Sequence, residues 1–121
     1  MSPSDLITAH ADAVASADLD AVLDLYTDDA HLLSYEWVAE GADAVRERFQ
    51  AFFDFHAPIE SVDVPFQQTT DDAAFATYVV RGGRGSFEIV NAFDLRDGAC
   101  ARHFSNEVGA ALDRDEVERS A

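Results

Sequence analysis

Apolar residues in the first half of the chain recur every three or four positions, which predicts three amphipathic helices. The predicted helices cover about residues 3–16, 19–26 and 42–55. Asp18 is the expected N-cap of the second helix, because its carboxylate can accept the free N–H groups of the first turn. His10 and His56 continue the apolar stripes of the first and third helices, so both side chains are expected to face inward.

After Pro58 the pattern changes to an alternation of apolar and polar residues, which predicts strands. With one earlier strand, the predicted ranges are about 30–38, 59–66, 73–81, 86–95 and 99–108. Pro65 favours an edge position for the strand that contains it, since proline cannot donate to a ladder. Residues 109–121 alternate charges with Ala and Leu, which predicts a frayed or weakly helical tail.

The predicted order of elements is α-α-β-α-β-β-β-β. Four strands in a row with short turns indicate an antiparallel sheet, and three helices beside it indicate an α+β domain. Phe49, Phe52 and Phe53 give the third helix a heavy apolar stripe, so we expect the sheet to curl around that helix. The chain 1–121 is therefore predicted to be a single domain with its core at about residues 5–108.

Composition supports a globular protein. The 121 residues are 48% hydrophobic and include nine Phe, which is enough for one core. The start of the chain lacks the basic and apolar regions of a signal peptide, and no stretch has the apolar length of a membrane span. We therefore expect a cytoplasmic protein that makes no membrane contact. Cys100 is the only cysteine and is expected to be a small buried hydrophobe.

The charge is unusual, because eight Arg and no Lys stand against 24 acidic residues, a net charge of −16. Such a chain repels phosphates and anionic lipids, so nucleic acid and membranes are excluded as main partners. The acidic residues are spread over every helix and turn instead of forming one tail. This distribution is typical of a salt-rich cytoplasm, and we expect a halophilic archaeal origin.

The stretch 17–30, ADLDAVLDLYTDDA, combines a capped helix, an acidic turn at Asp28-Asp29 that should end it, and the start of a strand. It resembles the NTF2-like superfamily (nuclear transport factor 2, ketosteroid isomerase, SnoaL-like polyketide cyclases), whose members often read "gDldal..lyadDa" here. The resemblance covers about residues 5–108. It implies a cone in which a curved antiparallel sheet and a long helix enclose a pocket.

The same resemblance implies positions for a site. The catalytic base of ketosteroid isomerase aligns with Ser34, its tyrosine with His10, and its second aspartate with Asn91. All three residue types differ, and a serine cannot abstract a carbon-bound proton without a base of its own. The carboxylates of limonene epoxide hydrolase and the His–Asp dyad of SnoaL-like cyclases also lack recognisable counterparts. None of these activities is therefore expected in its known form.

Several polar residues nevertheless lie on apolar faces and are candidates for lining the pocket. They are His10, Ser34, His56, Tyr78, Asn91 and His103. The ordinary alternative is a hydrogen-bonded boundary residue, although a buried Asn on the apolar strand of Asn91 is costly unless its amide is paired. On strand alternation, His103 and Asn106 should lie on opposite faces. The histidine spacings match no metal motif, so neither a metal nor a cofactor is expected.

Three functions remain open. The protein could bind a small molecule without catalysis, it could be a SnoaL-like isomerase, cyclase or hydrolase acting on a small apolar substrate, or it could be a structural dimerisation module. We expect a homodimer through the outer face of the sheet, because two strands carry apolar residues on both faces. We also expect His10 and Asn91 to point into one cavity, where a ligand carbonyl or hydroxyl would be recognised.

The charge generates a first prediction. The melting temperature should rise between 0.1 M and 2 M KCl, because salt screens the repulsion among the carboxylates. Thermal melts followed by circular dichroism at both salt concentrations would measure the change. An identical melting temperature in both buffers would contradict the expected salt-rich habitat.

Overall fold

The computed structural model describes residues 1–112 and has an α+β architecture, as the sequence predicts. The helices are α1 (Pro3–Ala15), α2 (Leu19–Leu23) and α3 (Ala42–His56). The strands are β1 (Tyr26–Leu33), β2 (Val38–Glu40), β3 (Ile59–Thr69), β4 (Ala73–Gly82), β5 (Gly85–Arg96) and β6 (Ala99–Leu112). None of the helices in this part of the chain combines the length and the apolar character that crossing a bilayer requires.

The six strands form one curved sheet in the order β2-β1-β6-β5-β4-β3. Strands β3 to β6 are joined by short turns, and each neighbouring pair is antiparallel, as predicted. The pair β1–β6 is parallel, so the prediction of a wholly antiparallel sheet is wrong. No short turn joins these two strands, because α3 and four strands separate them in the chain, and a hairpin therefore does not impose the direction of their pairing.

The beginning of the sheet differs from the prediction. α2 ends at Leu23 instead of residue 26, and Asp28 and Asp29 lie within β1 instead of ending a helix. The backbone N–H of Cys100 donates to the carbonyl of Leu25 at 2.8 Å, and Tyr26 pairs with Cys100 in the sheet. Apolar residues at this spacing fit a helix and a strand equally well, and pairing with β6 decides for the strand.

The predicted strand over residues 30–38 is divided in two. The N–H of Ser34 donates to the carbonyl of Trp37 at 2.9 Å and closes a turn between β1 and β2. At the other end of the sheet, β6 continues through residues 109–112 and pairs with the start of β5, so the predicted tail is wrong there. The unpaired backbone groups of β5 supply a physical reason to extend the ladder. Residues 113–121 lie outside the described part of the chain.

The apolar stripes predict the buried faces well. On α1, Leu6, Ile7, His10 and Val14 are buried, and on α3, Val45, Phe49, Phe53 and His56 are buried. The alternate residues of β4 and β5 that face these helices are Ala74, Ala76, Tyr78 and Val80, then Phe87, Ile89, Asn91 and Phe93, and all are buried. Helices and sheet therefore share one core.

The opposite face of β3 and β4 retains apolar side chains at the surface. Phe66 and Phe75 are 48% and 40% exposed, and their ring centroids lie 6.1 Å apart. β3 is an edge strand, as Pro65 predicts, and its register with β4 shifts between Asp63 and Phe66. The homodimer expected through the outer face of the sheet stays a prediction.

Close backbone packing at the end of β4 generates the second prediction. A Cβ added to Gly82 would lie 2.3 Å from the carbonyl oxygen of His56, whereas one added to Gly109 would lie 3.5 Å from a flexible Glu88 oxygen. Gly82→Ala should therefore lower the free energy of unfolding by about 1–3 kcal/mol. Gly109→Ala is the matched control, since it places the same methyl group in β6 without a clash.

Urea denaturation of the two variants beside the unmodified protein would measure the difference. Equal stability of Gly82→Ala and Gly109→Ala would show that the end of β4 does not pack against α3 as described.

Candidate functional site

Tyr26 lies at the centre of a chain of buried hydrogen bonds between α1 and the sheet. Its hydroxyl oxygen is 2.9 Å from Nε2 of His10 and 2.7 Å from Nδ1 of His103. On the far side of His10, Nδ1 is 2.9 Å from the hydroxyl of Tyr78. On the far side of His103, Nε2 is 2.8 Å from Oδ1 of Asn91. This hydrogen-bonded chain thus joins the side chains of five residues that are distant in the sequence.

Burial keeps both imidazoles neutral. The pKa of His10 is lowered to about 3 because its charged form would lose its hydration. The pKa of His103 is lowered as well, by burial and by the neighbouring His10. Burial also raises the pKa values of Tyr26 and Tyr78, so neither phenol ionises near neutral pH. Every member of the chain is therefore uncharged.

A neutral imidazole has one donor and one acceptor, so the direction of each hydrogen bond follows from its neighbour. Oδ1 of Asn91 accepts from Nε2–H of His103, which leaves Nδ1 of His103 to accept from the hydroxyl of Tyr26. Tyr26 in turn accepts from Nε2–H of His10, whose Nδ1 accepts from Tyr78. All four donors point the same way, from Tyr78 towards Asn91.

The two ends of this chain differ in what they can offer a ligand. The hydroxyl hydrogen of Tyr78 is used by His10, and its oxygen keeps lone pairs that can accept. Oδ1 of Asn91 accepts a second hydrogen bond, from Ser105 Oγ at 3.0 Å, while its Nδ2 is buried and has no partner among the described residues. A buried unpaired N–H donor costs about 1–3 kcal/mol. The site therefore combines a spare acceptor with a spare donor.

An inner cavity of about 90 Å³ lies against this chain. Its polar side is formed by His10, Tyr78, Asn91, His103 and Ser105. The remaining wall is aliphatic and aromatic and comes from α1, α3, β1 and β5, with Trp37 and Arg48 completing it. The Arg48 guanidinium lies 4.1 Å from the ring centroid of Trp37. Apart from the hydrogen-bonded residues, Ser105 and Arg48, the cavity is therefore lined by apolar side chains.

An outer cavity of about 450 Å³ adjoins the inner one, since Trp37, Phe52, Ile89 and Ser105 line both. Its polar lining comes from Ser34, His56 and Asn106, together with Glu36 and Glu107. The inner cavity is smaller than the roughly 300 Å³ of a typical small-molecule site, whereas the outer cavity exceeds that volume. A ligand of ordinary size that reaches the inner cavity would therefore extend into the outer one.

The structure distributes the six predicted site residues between the two cavities. His10, Tyr78, Asn91 and His103 line the inner cavity, so the predicted pair His10 and Asn91 share one space. Ser34 and His56 line the outer cavity, and Asn106 lies there too, apart from His103. Their part in binding stays a prediction. Within the described part of the chain, no cluster of three or more His, Cys, Asp or Glu could hold a metal ion.

Sequence reasoning missed Tyr26 and Ser105. The predicted helix over residues 19–26 includes Tyr26, and only its observed position in β1 turns its hydroxyl towards the two histidines. Ser105 lies on β6 two residues after His103, and the ladder with β5 is regular from Arg102 to Glu107, so strand alternation places it on the same face as His103. A buried Tyr needs a hydrogen-bond partner, and that requirement was the one available signal for Tyr26.

The fold is a small α+β domain in which helices and sheet line two adjoining cavities. The model of the SnoaL-like domain family matches residues 7–103. The chain therefore belongs to the SnoaL-like family. No curated protein matches the chain.

Solved structures show the same fold in proteins of low sequence identity. A protein of Sinorhizobium meliloti described as a candidate polyketide cyclase is 19% identical, with a TM-score of 0.74 over 84% of this chain and 94% of that one. A candidate ketosteroid isomerase of Kribbella flavida is 14% identical, with a TM-score of 0.73 over 88% of this chain and 78% of that one. A SnoaL-like protein of unknown function from Burkholderia thailandensis is 17% identical, with a TM-score of 0.75 over 88% of this chain and 94% of that one.

The central position of Tyr26 generates the third prediction. Tyr26→Phe should lower the free energy of unfolding by about 1–3 kcal/mol, because it leaves a nitrogen of His10 and one of His103 buried without a partner. Tyr35→Phe is the matched control, since Tyr35 is 79% exposed. Chemical denaturation of both variants would measure the effect. A loss in Tyr26→Phe no greater than in the control would contradict the hydrogen-bonded chain.

Proposed function

We propose that the protein binds a small, neutral, mostly apolar molecule that carries a carbonyl or hydroxyl group, and that it does so without transforming it. The observation that carries this proposal is the buried Nδ2 of Asn91, a donor without a partner in a residue that lines the inner cavity. A carbonyl or hydroxyl oxygen placed there would accept from Nδ2. A hydroxyl could also donate to the oxygen of Tyr78.

The protonation state of the site favours binding over catalysis. General base catalysis needs a group that is free to take a proton at the working pH. All four ring nitrogens of His10 and His103 are engaged in the chain, and burial lowers the pKa values of both imidazoles. Among the described residues that line the inner cavity, none is a carboxylate. A strong base is therefore lacking in the inner cavity, where the proposed ligand places its carbonyl or hydroxyl group.

An enzyme of the isomerase or cyclase type is the second candidate, because two structural neighbours carry such descriptions. Such an enzyme would remove a proton from the carbon beside a carbonyl group. In D2O it would exchange that proton for deuterium. Binding without exchange separates the first candidate from the second.

We also propose finer features of the assembly. We infer that the sheet curves around α3, supported by the ring of Phe49, which lies 5.7 Å from Tyr26 of β1 and 6.5 Å from His103 of β6. A homodimer through the outer sheet face is supported by the exposed Phe66 and Phe75. A cytoplasmic location in a salt-rich cell is supported by the net charge of −16.

The fourth prediction uses 2-octanone as the probe. Titration of ¹⁵N-labelled protein should shift the side-chain NH₂ signals of Asn91, because the ketone oxygen accepts from Nδ2. Asn91→Leu should weaken binding about five- to tenfold, the value of one hydrogen bond. Gln67→Leu removes an exposed amide on β3 and is the matched control.

The same sample in D2O shows whether the protein is an enzyme. We expect the protons beside the carbonyl of 2-octanone to exchange no faster than in buffer. Unshifted Asn91 signals would overturn the binding proposal, and exchange accelerated by the protein would replace it with catalysis.

A further inference from the structure

Unpaired polar atoms are concentrated around the two cavities. In the described part of the chain, four buried side-chain nitrogen or oxygen atoms have no hydrogen-bond partner. Three of them, Nδ2 of Asn91, Nδ2 of Asn106 and Nδ1 of His56, belong to residues that line the inner or the outer cavity. Buried polar groups are almost always paired in folded proteins, so this concentration requires an explanation.

The carbonyl oxygen of the Asn106 side chain holds this residue in place. Its Oδ1 accepts from Ser34 Oγ and from the backbone N–H of Tyr35, both at 2.9 Å. These two bonds identify the oxygen of the amide, since the N–H of Tyr35 can only donate. Nδ2 is therefore the atom left over, and the residue is 6% exposed. The fold fixes one half of this amide and leaves the donating half unused beside the outer cavity.

His56 is fixed by packing instead of hydrogen bonds. Its ring lies 4.3 Å from Phe52, 4.8 Å from Phe55 and 4.7 Å from Phe87, measured between centroids. The residue is 4% exposed, and its Nδ1 has no partner. Three aromatic contacts would be satisfied equally well by a phenylalanine. The imidazole thus brings a polar atom to the outer cavity that packing does not require.

We propose that the outer cavity is a second subsite for the same ligand, in which Asn106 and His56 bind an oxygen-bearing group at the far end of the molecule. This inference rests on the proposed function, since the first oxygen lies at Asn91. The ligand is then an elongated compound with an apolar middle beside Trp37 and Phe52, which both cavities share. It is not an anion, because Glu36 and Glu107 line the outer cavity and repel negative charge.

Two probes of equal length test this subsite, 2-octanone with one oxygen and 2,7-octanedione with two. The diketone should bind about five- to tenfold more tightly, the value of one added hydrogen bond. It alone should shift the side-chain NH₂ signals of Asn106. Octanedioate, the dianion of the same length, should bind more weakly than the diketone.

His56→Phe removes the ring nitrogens and keeps the aromatic contacts, so it should lower the preference for the diketone over 2-octanone. His31→Phe is the matched control, since His31 lies on β1 and lines neither cavity. If His56→Phe fails to fold, the titration of the wild-type protein with the diketone, followed by the Asn106 signals, still tests the second subsite.

The outcomes separate the two proposals. Shifted Asn91 signals with unshifted Asn106 signals would overturn the second subsite and leave the proposed function intact. Shifted Asn106 signals with unshifted Asn91 signals would support the outer site and overturn the inner one. Binding of the diketone and the monoketone with equal affinity would also overturn the second subsite.

Discussion

Burial of two imidazoles in one core is the constraint on which the site depends. A charged imidazole loses its hydration there, and a neutral imidazole leaves one donor and one acceptor that must be matched. Tyr26 meets both demands at once, because its hydroxyl accepts from His10 and donates to His103. The position of β1 beside β6, which brings Tyr26 into the core, is therefore tied to the chemistry of the site.

This arrangement makes the interior polar along one line and apolar elsewhere. His10 also contacts the rings of Phe49 and Phe93, whose centroids lie 5.8 Å and 5.1 Å from its own. Phe93 stacks on His103 at 4.2 Å. Such aromatic packing buries both imidazoles, and burial keeps the histidines neutral. The aromatic packing of this core therefore determines the protonation state of its two histidines.

Periodicity predicted the parts of the site that lie in regular elements. His10 on α1 and Asn91 on β5 were correctly placed on buried faces because helical and strand spacing are unbroken there. β6 pairs with β5 without a register shift from Arg102 to Glu107, so alternation groups His103 with Ser105, but it does not say which face of the strand lines the pocket. Tyr26 was missed because a short helix and a strand meet there, and only pairing with β6 decides between them. The division of the pocket into two cavities depends on packing among distant side chains, which no local pattern contains.

The hydrogen-bonded chain from Tyr78 to Asn91 has a direction, because every donor in it points towards Asn91. Rotation of the Asn91 amide by half a turn would make it donate to His103 and Ser105, and each neutral imidazole would then exchange its donor and acceptor nitrogens. Every bond between Asn91 and Tyr78 would reverse, and the Tyr78 hydroxyl would become free to donate into the cavity. The orientation of the Asn91 amide thus decides whether the Tyr78 hydroxyl, at the opposite end of the hydrogen-bonded chain, donates to His10 or into the cavity. At Tyr78 the same pocket can therefore present either a hydrogen-bond acceptor or a hydrogen-bond donor, without moving an ionic charge or any backbone atom.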